Sequence, residues 1–217
     1  MTPSSPYHDE DRARQAVVDV VMELYDARLI TSTGGNVSVR LADGDVLITP
    51  TRMHKGGLTP DSLVRVSPHG EPRPGQGRPS SETPLHLAVY HARPDVHAVV
   101  HTHAPHAIML GLLEGRVPPI IADALPFESL PIVYYVLPGD REGIARIVQS
   151  LGAQGSAVLL KHHGLLTVGR DLRRAVNVTF ALEEVLHILT LCRIWGCTEP
   201  PTLPSDDAAT LRRLDIV

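Results

Sequence analysis

The run HAVVHTH at residues 97–103 is the tightest constraint in this sequence. It reads as a short strand in which Ala98, Val99 and Val100 are buried. Residues i and i+2 of a strand point to the same side. His101 and His103 therefore converge on one point beside a sheet, held rigidly by the apolar residues before them. Two imidazoles placed that way make half of a zinc site, where Zn–N bonds run about 2.0–2.1 Å.

Histidine is the compositional outlier, with twelve copies. His86, His91, His97, His101, His103 and His106 crowd into one stretch. A second cluster, His162-His163-Gly164, falls between two apolar runs, AVLLK and GLLTV. It reads as a strand–strand turn that presents side chains, with the glycine permitting close backbone approach. Either histidine can supply a third ligand. Glu82, in PSSETP, precedes a helix beginning near Pro84, where a carboxylate gains from the helix N-terminus. Three histidines and one carboxylate complete a set for a catalytic divalent ion. Ser80 and Ser81 lead into the same helix, whose free amides and hydroxyls suit an anion. The loops TSTGGN (31–36) and TPT (49–51) add more hydroxyls and backbone donors. Together they predict a phosphate or carboxylate cradle next to the metal.

The rest of the chain supports one α/β unit, a sheet covered by helices. Ala13, Val17, Val20, Val21 and Leu24 recur at helical spacing over 11–29. VSVR and DVLIT flank Asp43-Gly44 as a hairpin, and LVRVS is a further strand. Residues 71–81, with three prolines and two glycines, are a loop rather than a linker. A short helix spans 105–113, and PIVYYV is a strand. Asp140 caps a helix ending near Gly152, and Asp171 caps the longest helix, ending at Gly196. Residues 1–9 and 200–217 are expected to be flexible tails.

Several function classes recede on composition. Acids outnumber bases, 24 to 20, and no basic patch suggests a nucleic-acid partner. Eight aromatics (one Trp, five Tyr, two Phe) make a base-stacking platform improbable. The apolar runs fall short of the roughly 20 residues of a membrane span, and the polar start predicts no secretory signal. Cys192 and Cys197 lack CxxC spacing. They are read as reduced packing thiols, consistent with a cytoplasmic protein.

In order along the chain, GGNVSVR, LITPT, PSSETPLH, RPDVHAVVHTHA and HHGLLTVG resemble the class II aldolase/adducin family. The resemblance covers about residues 11–195 and implies that residues 1–217 form a single three-layer α/β/α domain with a central, mostly antiparallel sheet. It also implies a homotetramer with active sites between subunits. Carried over residue by residue, it makes His101, His103 and His163 metal ligands, with Glu82 as both ligand and proton-transfer group. It makes Asn36, Thr51, Ser80 and Ser81 the binders of an anionic substrate. The sequence departs from the aldolases at two places. Arg52 stands where they typically have glycine, and it can clamp a phosphate or carboxylate bidentately or fill that pocket. Ala122 stands near where a neighbouring subunit supplies a tyrosine, and the adjacent Asp123 becomes a catalytic candidate by analogy with the epimerases.

The expectation is a metal-dependent lyase acting on a small hydroxy-ketone, phosphorylated at one end. One divalent ion per chain, zinc before cobalt, manganese or iron, would stabilise the enediolate formed as the carbon–carbon bond breaks. Decarboxylation of a keto- or aromatic acid, or epimerisation or dehydration, uses the same scaffold. A non-catalytic module like the adducin head has no physical need for four convergent ligands.

Overall fold

The strand carrying His101 and leading into His103, β4 (Ala98–Thr102), lies at the centre of a seven-stranded sheet in the computed structural model. The structure describes residues 5–113, 115–134, 137 and 139–214. The other strands are β1 (Asn36–Arg40), β2 (Val46–Ile48), β3 (Val64–Val66), β5 (Ile132–Val133), β6 (Ala157–Leu160) and β7 (Gly164–Gly169). Their order is β3-β2-β1-β4-β7-β6-β5. Every pairing is antiparallel except β5 with β6. Of the expected PIVYYV strand, Ile132 and Val133 pair, while Tyr135 and Val136 lie outside the described residues.

Two apolar clusters cover the two faces. Ala98 and Val100 of β4 pack with α1 (Glu10–Asp26), α3 (Pro105–Leu112) and α5 (Leu172–Ile194). Val99, one residue out of phase, packs with α2 (Thr83–Ala92) and α4 (Arg141–Leu151). This is the expected α/β class in three layers, and the two-residue strand period produces it. By the same period His101 shares the face of Val99, toward α2. Asp140 and Asp171 cap α4 and α5 as expected, each accepting a backbone N–H from the first turn, and Asp9 does the same for α1.

Three expectations are corrected. Residues 5–9 are not frayed. Ser5 is buried and its hydroxyl donates to Arg40 O at 2.6 Å, and the Tyr7 hydroxyl accepts the Leu172 N–H at 2.6 Å. Residues 200–214 are not simply a tail. They include α6 (Ser205–Leu214), which buries Ala208 and packs on the 3-10 turn Ala122–Phe127, with Arg212 paired to Glu128. Finally, α5 is long and apolar enough to cross a membrane by length and composition alone. Its buried side chains, among them Ala175, Val176, Leu182 and Val185, instead pack into the core cluster shared with β4 and β7.

Beyond the hairpin turn, Asp45 is nearly fully buried and accepts from Arg65 Nε at 2.7 Å and from Arg73 Nε at 2.8 Å. Arg65 also reaches Glu10 and Asp43, tying α1 to the hairpin. The Arg73 hydrogen bond, opposed by burial and aided by Arg65, holds the Asp45 carboxyl below its ordinary range. A depressed native pKa contributes stability above the unfolded value and loses it as pH falls through the native one. Asp45→Ala is therefore expected to lower stability by about 2 kcal/mol at neutral pH. In urea melts the deficit should shrink as the pH is taken down through the native Asp45 pKa.

Candidate metal centre

The end of β4 and the turn between β6 and β7 meet over the α2 face. Gly164 makes that meeting possible, because a Cβ there would lie 2.1 Å from Thr102 O. The preceding His162 turns the chain with a φ of 64°, and His163 follows it toward β4. His103 continues past the strand, its backbone N–H bonded to Leu29 O at 2.9 Å. Gly34 leaves room for that ring, since a Cβ would come within 2.7 Å of it. Ring centroids of His101 lie 5.1 Å from His103 and 4.6 Å from His163. Donor atoms of all three histidines lie within 4.8 Å of one another.

His101 is fully buried, and its chemistry is set by one contact. Its Nδ1 lies 3.1 Å from Leu165 O. A carbonyl only accepts, so Nδ1 carries the proton and Nε2 carries the lone pair. That Nε2 has no hydrogen-bond partner among the described residues. Burial, only partly countered by Glu82, pushes the His101 pKa down to about 3. It is thus a neutral ligand aimed into the cluster, with its other nitrogen tied to the backbone as metal-binding histidines usually are. Burial also lowers the His103 pKa.

Glu82, at the N-cap of α2, closes the cluster. Its Oε2 is 3.4 Å from His101 Nε2, and its Oε1 is 3.4 Å from His163 Nε2. Two donors each about 2.1 Å from one ion, at a tetrahedral angle, stand about 3.4 Å apart. These two spacings, and the three converging imidazoles, suit a divalent ion. Burial alone would push the Glu82 carboxyl up, but His101, the Asn36 hydrogen bond, His163 and His86 hold it well below the ordinary carboxylate range. It remains an anion, as a ligand or a proton acceptor must.

The expected anion cradle is only partly free. Asn36 sits opposite His101 on β1, but its amide is engaged on both sides, Nδ2 donating to Glu82 Oε2 and Oδ1 facing His86 Nε2, each at 2.6 Å. Ser80 is buried, and its hydroxyl accepts the Glu82 N–H at 3.2 Å. Thr51 pairs its N–H with Arg78 O, and Pro50 bridges Pro79, which brings the 49–51 and 78–81 loops together. Ser81 and Arg52 are exposed on that rim. Arg52 holds a left-handed φ of 56°. That conformation suits glycine, and for another residue it costs roughly 1–2 kcal/mol. A cleft lined by Ser81, Leu85, Leu137 and Leu160 opens beside Glu82 and His163. Asp123 is exposed in the Ala122–Phe127 turn against α5 and α6, and no hydrogen bond or ion pair joins it to the cluster among the described residues.

His86, Ser38 and Tyr90, which have no sequence-predicted role, adjoin the site. Their signal was present as E-x3-H-x3-Y on a helix beside N-x-S-x-R on a strand. Neither pattern speaks until the helix is laid on the strand.

The family described as class II aldolase and adducin N-terminal domain matches residues 15–190. L-fuculose phosphate aldolase of Haemophilus influenzae is 37% identical over 171 residues, covering 78% of each chain. 3-oxo-tetronate 4-phosphate decarboxylase of Escherichia coli is 33% identical over 186 residues, covering 83% of this chain and 87% of its own. Among solved structures, L-fuculose-1-phosphate aldolase of Thermus thermophilus superposes with a TM-score of 0.75 at 28% identity, covering 88% of this chain and 98% of that one.

Proposed function

The chain belongs to the class II aldolase and adducin family, and from that premise we propose that it is a divalent-metal-dependent lyase. Its reaction would break a carbon–carbon bond beside the carbonyl of a small phosphorylated hydroxy-ketone. The observation that carries the reading is the orphaned, buried Nε2 of His101 facing the Glu82 carboxylate at 3.4 Å, with His103 and His163 beside it. A cation held by His101, His103, His163 and Glu82 would act as a Lewis acid, stabilising negative charge on the substrate oxygens. Zinc suits three imidazoles and a carboxylate best.

The chain's own residues supply the remainder. In a retro-aldol cleavage the substrate hydroxyl loses its proton, the carbon–carbon bond breaks to release an aldehyde, and the remaining enediolate takes a proton on carbon. Glu82, anionic in the resting site, is placed to accept the hydroxyl proton and return it to that carbon. Ser81, Thr51 and Arg52 line the rim where the anionic end would sit, while Asn36 and Ser80 hold Glu82. The family's homotetramer, with Asp123 presented to a neighbouring subunit's site, belongs to the same reading, as does a cytoplasmic location.

A second reading, decarboxylation of a phosphorylated 3-oxo acid, is favoured by Ala122. Its methyl group offers no second acceptor, beside Glu82, for the hydroxyl proton of an aldol. Loss of carbon dioxide requires no such acceptor. The deciding experiment incubates zinc-loaded protein with L-fuculose phosphate and with 3-oxo-tetronate 4-phosphate. Aldehyde release supports cleavage, and carbon dioxide supports decarboxylation. Neither product, from a chain that also binds no ion, would overturn both.

Arg52 gives a separate handle on the substrate. Its strained backbone is the kind of outlier that marks a working position. Arg52→Gly is expected to raise KM for a phosphorylated substrate by roughly 10–100-fold, the loss of one charge-assisted contact of about 1.5–3 kcal/mol. The melting temperature should hold, because relief of the left-handed strain offsets glycine's greater unfolded freedom. An unchanged KM would place Arg52 outside the anion site.

A further inference from the structure

A buried polar seam runs between α2 and β1. From the N-cap on, Glu82, His86 and Tyr90 recur every fourth residue along one face of α2, and Asn36, Ser38 and Arg40 recur every second residue along one face of β1. The two periods match, so each helix residue meets a strand residue. Asn36 Nδ2 donates to Glu82 Oε2 at 2.6 Å, His86 Nε2 lies 2.6 Å from Asn36 Oδ1, and His86 Nδ1 lies 2.7 Å from Ser38 Oγ. Ser38 Oγ lies 2.8 Å from the Tyr90 hydroxyl, and the Arg40 guanidinium closes the row on Tyr90 O at 2.9 Å.

The direction of this chain follows from its end. An ionised carboxylate only accepts, so Asn36 must turn its NH2 group to Glu82 and its carbonyl to His86. His86 must then donate through Nε2. His86 is fully buried, and burial, opposed only by Glu82, lowers its pKa to about 4. The neutral ring leaves Nδ1 to accept the Ser38 hydroxyl proton, and Ser38 Oγ accepts from Tyr90. Without the His86 N–H, nothing on that side would favour the Asn36 carbonyl over its NH2 group. A flipped amide would set a carbonyl oxygen against the Glu82 carboxylate.

We propose that His86 is a positioning residue: held as its Nε2–H tautomer between Ser38 and Asn36, it locks the Asn36 amide, and through it aims the Glu82 carboxylate at the histidine cluster. Asn36 thereby serves Glu82. The proposal rests on the lyase reading only in giving Glu82 a task, and its test separates the two.

Long-range proton–nitrogen correlation spectra of the full chain should show His86 protonated at Nε2 alone. Cobalt(II) titrations followed by visible absorption supply the second readout. His86→Leu is expected to weaken cobalt binding by roughly 10–100-fold, as loss of a supporting partner of a ligand usually does. His86→Gln, which can offer an N–H toward Asn36, should stay near wild type. In a Glu82→Ala background, His86→Leu should cause no further loss, whereas a merely structural role would weaken binding in both backgrounds. An Nδ1–H tautomer, or equal loss in both backgrounds, overturns the proposal. If His86→Leu does not fold, the tautomer of the wild-type protein decides. A wild-type chain that binds no cobalt would sink the metal reading, and the tautomer would still judge the seam.

Discussion

Replacing His103 with alanine is expected to strip the chain of its ion and to lower turnover by about a thousandfold. The magnitude follows from Lewis-acid stabilisation, worth several kcal/mol, at about 1.4 kcal/mol per tenfold in rate. His103 is the right member of the cluster to remove. His101 is fully buried at the β4–β7 ladder and bonded to Leu165 O, so its loss would leave a cavity in the sheet. The His103 ring lies past the strand and is only partly buried, so alanine there should leave the melting temperature of the ion-free protein close to wild type. Elemental analysis of untagged protein is the check. About one divalent ion per wild-type chain and a small fraction of that in the variant is the expected pair of values. Full occupancy in His103→Ala would remove that histidine from the ligand set. Turnover that survived both the substitution and chelation would remove the ion from the chemistry.

How much of this was legible beforehand depends on the range of the interaction. His101 and His103 could be placed because extended-chain alternation is local: HAVVHTH alone puts them on one side. The Asp caps of α4 and α5 are local too. The pairing of β1 with β4, which sets Asn36 opposite His101, is not local. The choice between His162 and His163 rested on the family resemblance, and the structure separates the two by backbone. His162 takes the left-handed φ of 64° and His163 faces Glu82 Oε1. Asn36 and Ser80 were expected to touch substrate because their side chains are good anion donors. Both bond Glu82: Ser80 accepts the backbone N–H two residues on, a local turn contact, whereas the Asn36 contact is visible only once α2 is laid on β1. The Ser5 and Tyr7 anchors escaped notice for the same reason, since their partners are Arg40 and Leu172.

Glu82→Gln is expected to lower turnover by roughly 10²–10⁴-fold, the range for loss of a positioned acid–base group. Its signature should differ from that of His103→Ala. Glutamine keeps the length of the side chain and one carbonyl acceptor, which Asn36 Nδ2 can still reach. Three imidazoles remain to hold an ion, so ion content should fall far less than in His103→Ala. What glutamine cannot do is accept and return a proton. Exchange of the substrate's carbon-bound hydrogen with deuterated solvent should therefore collapse in step with turnover. The pH behaviour follows from the depressed pKa of Glu82: a carboxylate already ionised throughout the neutral range gives no acidic limb there. The wild-type rate of the free enzyme should stay flat, as far as Glu82 governs it, through the ordinary carboxylate range and fall only below it. If Glu82→Gln exchanged the substrate hydrogen at the wild-type rate, the proton would have to travel by another group. The exposed Asp123 would then be the next residue to replace.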